Sequence, residues 1–433
     1  MKKRRATIVL VALLTGLIGL DFAVRSQTPV SHTRWCEMSD WHYDASHVST
    51  VSLIPSDYSR LHEPAALSDS LTSEQIAAMV QKALDLAGGL DLLIPMSVHS
   101  IVLKPNIVEP GEMGKMVNET GVDTDWRVIR ALALALYAHN PGYSIRVAEA
   151  AGGWTRPGTQ GVAAWATLDG YTMTGYKGMV ESLKADPAYP GLDFDWVDLN
   201  YDDTVAVRVP EPRLSPDQAV FYLPRTLVEA DYVIDVPVMK VHTTGVTVGL
   251  KNWVGILPGM VYGWSKDGGY GGNGIGLNHA ADHIQKNIVE LHRALHADLT
   301  VVDAIMCKEK SKYFSGISKR RNLIIAGTDV VAVDAVCSHL MGVNPDDVEH
   351  ISLAALAGLG QNNLDKIEIT GGDLEHCTAR FIKSDKSIVS SQKNSSYPYY
   401  GQSNRVWLVR GGFPGTNLDS DRLGGEAAAA PEA

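Results

Sequence analysis

The sequence is poor in cysteine, and none of its four cysteines, Cys36, Cys307, Cys337 and Cys377, lies in a Cys-x-x-Cys pair. Zinc ribbons, thioredoxin-like centres and iron–sulfur clusters of the ferredoxin type therefore lack their sequence support. The four residues leave two readings open: up to two disulfides outside the cytoplasm, or buried free thiols. Long apolar runs are also scarce, and only one approaches spanning length, which excludes a polytopic membrane protein. Positive charge is in deficit, with 38 Lys+Arg against 49 Asp+Glu and a net charge of −11. That balance argues against nucleic acid as a partner, because phosphate binding depends on Lys/Arg neutralisation. Gly-Lys-Ser/Thr, His-Glu-x-x-His, Gly-x-Ser-x-Gly and an EF-hand loop are all missing, as is any long internal repeat. What is present is a chain of 433 residues, 45% apolar, enough for one large α/β core or two modest domains.

The N-terminus reads as an export signal. Lys2, Lys3, Arg4 and Arg5 precede an uncharged apolar stretch from Ala6 to Leu20. As a helix this stretch would rise about 22 Å at ~1.5 Å per residue, short of the ~30 Å hydrocarbon core. A removable signal peptide over residues 1–26 is favoured on that length, with a membrane anchor over residues 6–24 as the alternative. Arg4-Arg5 is not followed by Phe-Leu-Lys, so ordinary secretion ranks above twin-arginine export. The expected location is periplasmic or secreted, with membrane contact only through this segment if it stays uncleaved.

Residues 27–70 are polar and irregular and read as a lead-in. From residue 71 to about 410 the pattern is that of a single α/β domain. Thr72 and Gln75 form a capping-box pattern ahead of Ile76, Met79, Val80 and Leu84. Strands are expected over residues 100–104, 144–149, 231–238, 299–303, 322–326 and 366–370. Helices are expected over residues 124–139 (capped by Asp123), 278–296, 328–341 and 346–359. Such alternation predicts a mostly parallel or mixed sheet with helices on both faces. Residues 186–225, rich in Pro and Asp, predict a small β-rich insertion, and 411–433 a disordered tail.

Ligands of open α/β sheets collect at the carboxyl ends of strands. Polar residues gather at the predicted strand exits: Lys104 and Asn106, Glu149, Lys240 and His242, Asp303, and Thr328-Asp329. Residues two apart in an extended chain share a face, so Lys104 with Asn106 and Lys240 with His242 can each present a cation and a hydrogen-bonding partner together. Two such pairs suit a carboxylate or phosphate. Thr243, Thr244, Lys251 and Asn252 follow closely. His242 is a candidate acid/base, and Lys240 and Lys251 are candidate catalytic lysines. Asp303 and Asp329 are candidate ligands for a divalent metal of unspecified identity.

Residues 267–276 (DGGYGGNGIG) match G-x-G-x-x-G only formally, because no strand leads into them; a mobile lid is the better reading. His279, at the start of the following helix, is the best placed of its histidines for a ligand site. His283, His292 and His296 suit surface or packing roles.

Val102 to Asn106 (VLKPN), Asp231 to His242 (DYVIDVPVMKVH), Val246 to Gly255 (VTVGLKNWVG), Val301 to Ala304 (VVDA), Ile325 to Asp329 (IAGTD) and Ala332 to Ala335 (AVDA) together resemble domain-of-unknown-function family 362 of bacteria and archaea. The likeness runs from Ser100 to Gly372. The family has no general assigned activity. Many members carry a ferredoxin-type segment with an iron–sulfur cluster, and this chain departs from them in having no such cysteine set. The resemblance falls on Lys104, Asn106, Lys240, His242, Lys251, Asn252, Asp303, Asp329 and Asp334.

These readings point to an exported enzyme acting on a small anionic metabolite. Two alternatives are a non-catalytic solute- or cofactor-binding protein and a redox accessory protein lacking the iron–sulfur domain.

Overall fold

The computed structural model describes residues 46–56, 70–108, 120–151, 174–263, 265–268, 275–311 and 316–384. The expected signal segment, most of the lead-in, the centre of the glycine-rich lid, Cys36 and the tail lie outside the described residues.

Twelve strands are described. Ten form one mixed, mostly parallel sheet with helices on both faces, and two form a small antiparallel sheet. In chain order the strands of the large sheet are β1 (Ser49–Pro55), β2 (Ser100–Pro105), β3 (Ser144–Glu149) and β4 (Asp193–Asp198), then β7 (Tyr232–Val236), β8 (Val238–His242), β9 (Gly245–Thr247), β10 (Leu299–Glu309), β11 (Ile317–Gly327) and β12 (Ile367–Gly371). β5 (Thr204–Arg208) and β6 (Val220–Pro224) make the small one. The spatial order is β12-β1-β11-β10-β7-β2-β3-β4, with β8 alongside β10 and β9 alongside β8.

The alternation of strand side chains divides the core. Val102, Val233 and Val302 join one apolar cluster; Ile101, Leu103, Ile234 and Val301 join the other. The second cluster is closed by α1 (Ser73–Leu86), α2 (Trp126–His139) and α3 (Tyr176–Ala185). The first is closed by the 249–262 segment, which begins with α4 (Gly249–Asn252), and by α5 (Ala281–Ala294), α6 (Val330–Leu340) and α7 (Glu349–Leu356). Burial on both faces explains why these strands read as continuous apolar runs.

The local signals at α1 hold: Thr72 accepts from Gln75 N, and the Gln75 side chain accepts from Thr72 N. Elsewhere tertiary pairing moves the boundaries. The expected lead-in contains β1, which pairs with β11 and β12 and so lies inside the sheet. The piece DFDWVD of the expected insertion is β4, parallel to β3, so the separate sheet consists of β5 and β6 alone. β10 and β11 are eleven residues each, because they extend one another as an antiparallel pair. The cap of α2 is Asp125, whose carboxylate accepts from Arg127 N and pairs with the Arg127 guanidinium; Asp123 instead accepts from Val108 N. Cys307, Cys337 and Cys377 are free and buried.

Candidate functional site

β2, β3 and β7 run parallel and adjacent, so their carboxyl ends form one rim. Lys104 and Asp235 are direct register partners there. Lys104 follows Val102, and Asp235 follows Val233, at the spacing that keeps them on the face of the 249–262 segment. Lys104 is fully buried. Its Nζ donates to Glu149 Oε2 at 2.8 Å and to Pro105 O at 2.8 Å. Burial pushes the Glu149 carboxyl above its usual range, opposed by the positive charge of Lys104.

Asp235 is fully buried too. Its Oδ1 accepts from Asn252 Nδ2 at 2.7 Å, while Asp235 Oδ2 and Asn252 Oδ1 have no partner among the described residues. Desolvation pushes this carboxyl up to about 8, so it holds its proton at neutral pH. A protonated Oδ2 is a donor, and Asn252 Oδ1 is the unfilled acceptor of the same pair.

Gly255 crosses this ion pair closely, and Ala150 N donates to its carbonyl at 3.0 Å. A Cβ at residue 255 would fall against Glu149 Oε1 and 2.9 Å from Lys104 Nζ. Gly255→Ala is expected to cost about 1–3 kcal/mol through overpacking, read as a lower denaturation midpoint in urea; an unchanged midpoint would contradict this packing.

A second set of side chains adjoins the first through Asn106. Lys240 Nζ donates to Asn106 Oδ1 at 2.5 Å and to Val122 O. The Lys-x-His motif therefore lies in a strand of its own, β8, and not at the exit of β7. Met239 and Val241 enter the core, which leaves Lys240 and His242 on the other side of the strand. Thr244 N donates to His242 Nδ1 at 3.0 Å, and Thr244 Oγ1 lies 2.8 Å from the same atom. With Nδ1 an acceptor, the neutral ring carries its proton on Nε2. Gln285 Nε2 donates to Thr244 O at 3.0 Å, and Gln285 Oε1 lies 2.7 Å from His350 Nδ1. Desolvation lowers the His350 imidazole to about 3, reinforced by the positive charge of Lys251. Lys251 is thus felt at His350.

The structure brings Lys104, Asn106, Lys240 and Asn252 together at the rim, since Asn252 also approaches Pro105 O at 3.4 Å. Thr244 joins His242, and Thr243 Oγ1 stands 3.3 Å from the same ring nitrogen. His279 precedes α5 with Nδ1 2.8 Å from Leu277 O. His283 pairs with Asp217 near the surface, and His292 stacks on Trp253 with Nε2 3.1 Å from Leu250 O.

The two expected metal ligands are not brought together. Asp303 shares the parity of Val301, so it faces the α2 side and accepts from Asp125 N and Ile305 N. Asp329 caps α6, accepting from Val331 N, Ala332 N and Gln361 N and from the Ser49 hydroxyl. Among the described residues no group of three or more His, Cys, Asp or Glu side chains is arranged to hold a metal.

In the sequence Glu149 is legible as a strand terminus, and a carboxylate ending a buried strand signals a partner. Asp235 sits inside an otherwise apolar run, where a carboxylate is itself the signal. Lys266, beside the glycine-rich stretch, offers no signal in the sequence.

The domain of unknown function DUF362 matches residues 101–339, more than half of the chain. The protein belongs to the DUF362 family. A curated relative, the thylakoid-associated protein sll1697 of Synechocystis sp., is 30% identical over 142 residues. That match covers 32% of this chain and 41% of the relative. Among solved structures, the lactate racemase apoprotein of Thermoanaerobacterium thermosaccharolyticum is similar with a TM-score of 0.36 and 12% identity, over 69% of this DUF362 chain and 59% of the racemase.

Proposed function

We propose that this DUF362 protein is an exported enzyme acting on a small anionic metabolite at the carboxyl ends of β2, β3, β7 and β8. One observation carries the reading. Lys104, Glu149, Asp235, Lys240 and His242 are each at most 6% exposed, and all lie on this rim or on the strand that continues it. Buried charges are weak contributors to stability, and apolar replacements often serve a fold as well. Their concentration at the ligand-collecting edge of a parallel sheet supports a site.

In this reading Lys240 and Lys251 supply positive charge to the anion, and the Lys104–Glu149 pair forms the floor. Thr243, Thr244, Asn106, Asn252 and His279 offer hydrogen bonds. His242, with its proton on Nε2, is the acid/base. A metal on Asp303 and Asp329 has no part in the proposal, because the two carboxylates are engaged separately. Export rests on residues 1–26.

The test is a thermal-shift screen of small carboxylates and phosphates, followed by mass spectrometry for product. A ligand that binds the folded and not the unfolded state raises the midpoint, and the rise grows with the logarithm of its concentration above Kd. Anions should stabilise the wild type, and His242→Ala should lose turnover by at least ~100-fold while remaining folded. Turnover that survives His242→Ala would remove the acid/base assignment, and a ligand recovered unchanged would make this a binding protein.

A further inference from the structure

Lys266 stands apart from the other rim lysines. It is 6% exposed, and among the described residues its ammonium nitrogen makes one hydrogen bond, 3.3 Å to Asn200 Oδ1. Asn200 is itself fixed, accepting from Gly259 N at 2.8 Å and donating to Ala151 O just beyond β3. The Lys266 backbone is left-handed, with φ 64°, and is held there by bonds from Lys266 N to Gly263 O and from Leu277 N to Lys266 O. A non-glycine residue kept in that region and buried, with its amine hardly bound, is strain of the kind found at working sites.

The charges acting on the amine are Glu149 and Asp198, which favour its protonated form, and Lys104, which opposes it. Desolvation outweighs them and lowers the ammonium to about 7. Other nucleophiles compare poorly. Burial pushes the thiols of Cys307 and Cys337 well above their ordinary range.

We infer that Lys266 is the nucleophilic amine of the rim and forms an imine with a small anionic aldehyde or 2-oxo acid. This rests on the anionic-metabolite reading and names its substrate class. The Nζ lone pair attacks the carbonyl carbon, and the π electrons move to oxygen, which takes up a proton. That oxygen leaves as water, carrying the two hydrogens lost from nitrogen, as the carbon–nitrogen double bond forms.

The experiment treats the full chain at pH 7 with glyoxylate and cyanoborohydride, which traps an imine as a carboxymethyl amine, and maps adducts by peptide mass spectrometry. Lys266 should be modified at least about tenfold faster than exposed Lys82 and Lys184, because its free-base fraction is larger. Its rate should rise through pH 7. Lys266→Met removes the amine without burying a fixed charge and should stay folded, with the fast adduct gone. A Lys266 rate no greater than that of Lys82 and Lys184 overturns the inference, as does a fast adduct at another site that persists in Lys266→Met. If anions still stabilise the protein in that case, the anionic-metabolite reading stands without the imine; if no anion stabilises it, both fall.

Discussion

Glu149→Ala is expected to destabilise the protein by about 3–5 kcal/mol, because it strips the counter-charge from a fully buried lysine. Among the described residues Lys104 would keep only Pro105 O as an acceptor. The loss should appear in urea denaturation as a lower midpoint with little change in slope. Replacing both partners, Lys104→Met with Glu149→Leu, should recover most of that stability, since the buried charge leaves together with its partner. The double variant should nonetheless lose anion stabilisation if the pair belongs to the site. A cost below about 1 kcal/mol for Glu149→Ala would mean that water reaches Lys104 and that the pair behaves as a surface one.

Asp235→Asn is expected to stabilise the protein increasingly as pH rises. The Asp235 carboxyl titrates at about 8 in the folded state against 3.8 in the unfolded chain. The folded form therefore holds the proton more tightly, and this group's contribution is full below pH 4 and lost as pH rises through 8. Lys266 has the opposite sign: its folded value of about 7 against 10.5 means that its cost to folding fades as pH rises from 7 toward 10.5. Comparing wild type with Asp235→Asn isolates the first term. An asparagine amide reproduces the donor of the protonated acid and can bond to Asn252 Oδ1, now without a partner among the described residues. The gap in unfolding free energy should widen between pH 5 and pH 8 by up to roughly 1.4 kcal/mol per pH unit. Urea titrations at those two pH values check this, and a constant gap would show that Asp235 is ionised in the fold.

Both predictions concern ionisable groups whose partners lie on other elements of the fold. Lys104 finds Glu149 across 45 residues, and Asp235 finds Asn252 across 17. The strand pattern located Lys104, Asn106, Glu149, Lys240 and His242 near strand ends, because apolar runs stop where side chains must meet water or one another. It offered no means of choosing a face at Asp303, where one step of parity separates the α2 side from the rim. Nor did it place β1, whose seven residues acquire strand character only between β11 and β12.

The sequence by itself determined the alternating helices and strands, the Thr72 capping box, the family motifs and the clustering of polar groups at strand termini. All of these follow from local periodicity and from side chains bonding to their own backbone. The tertiary structure alone decided the order of the sheet and, through it, which buried charge meets which. It paired Lys104 with Glu149 and Asp235 with Asn252, it separated Asp303 from Asp329, and it enclosed Lys266. The reason is that hydrogen bonding between strands and desolvation of charge depend on neighbours that only the folded chain supplies.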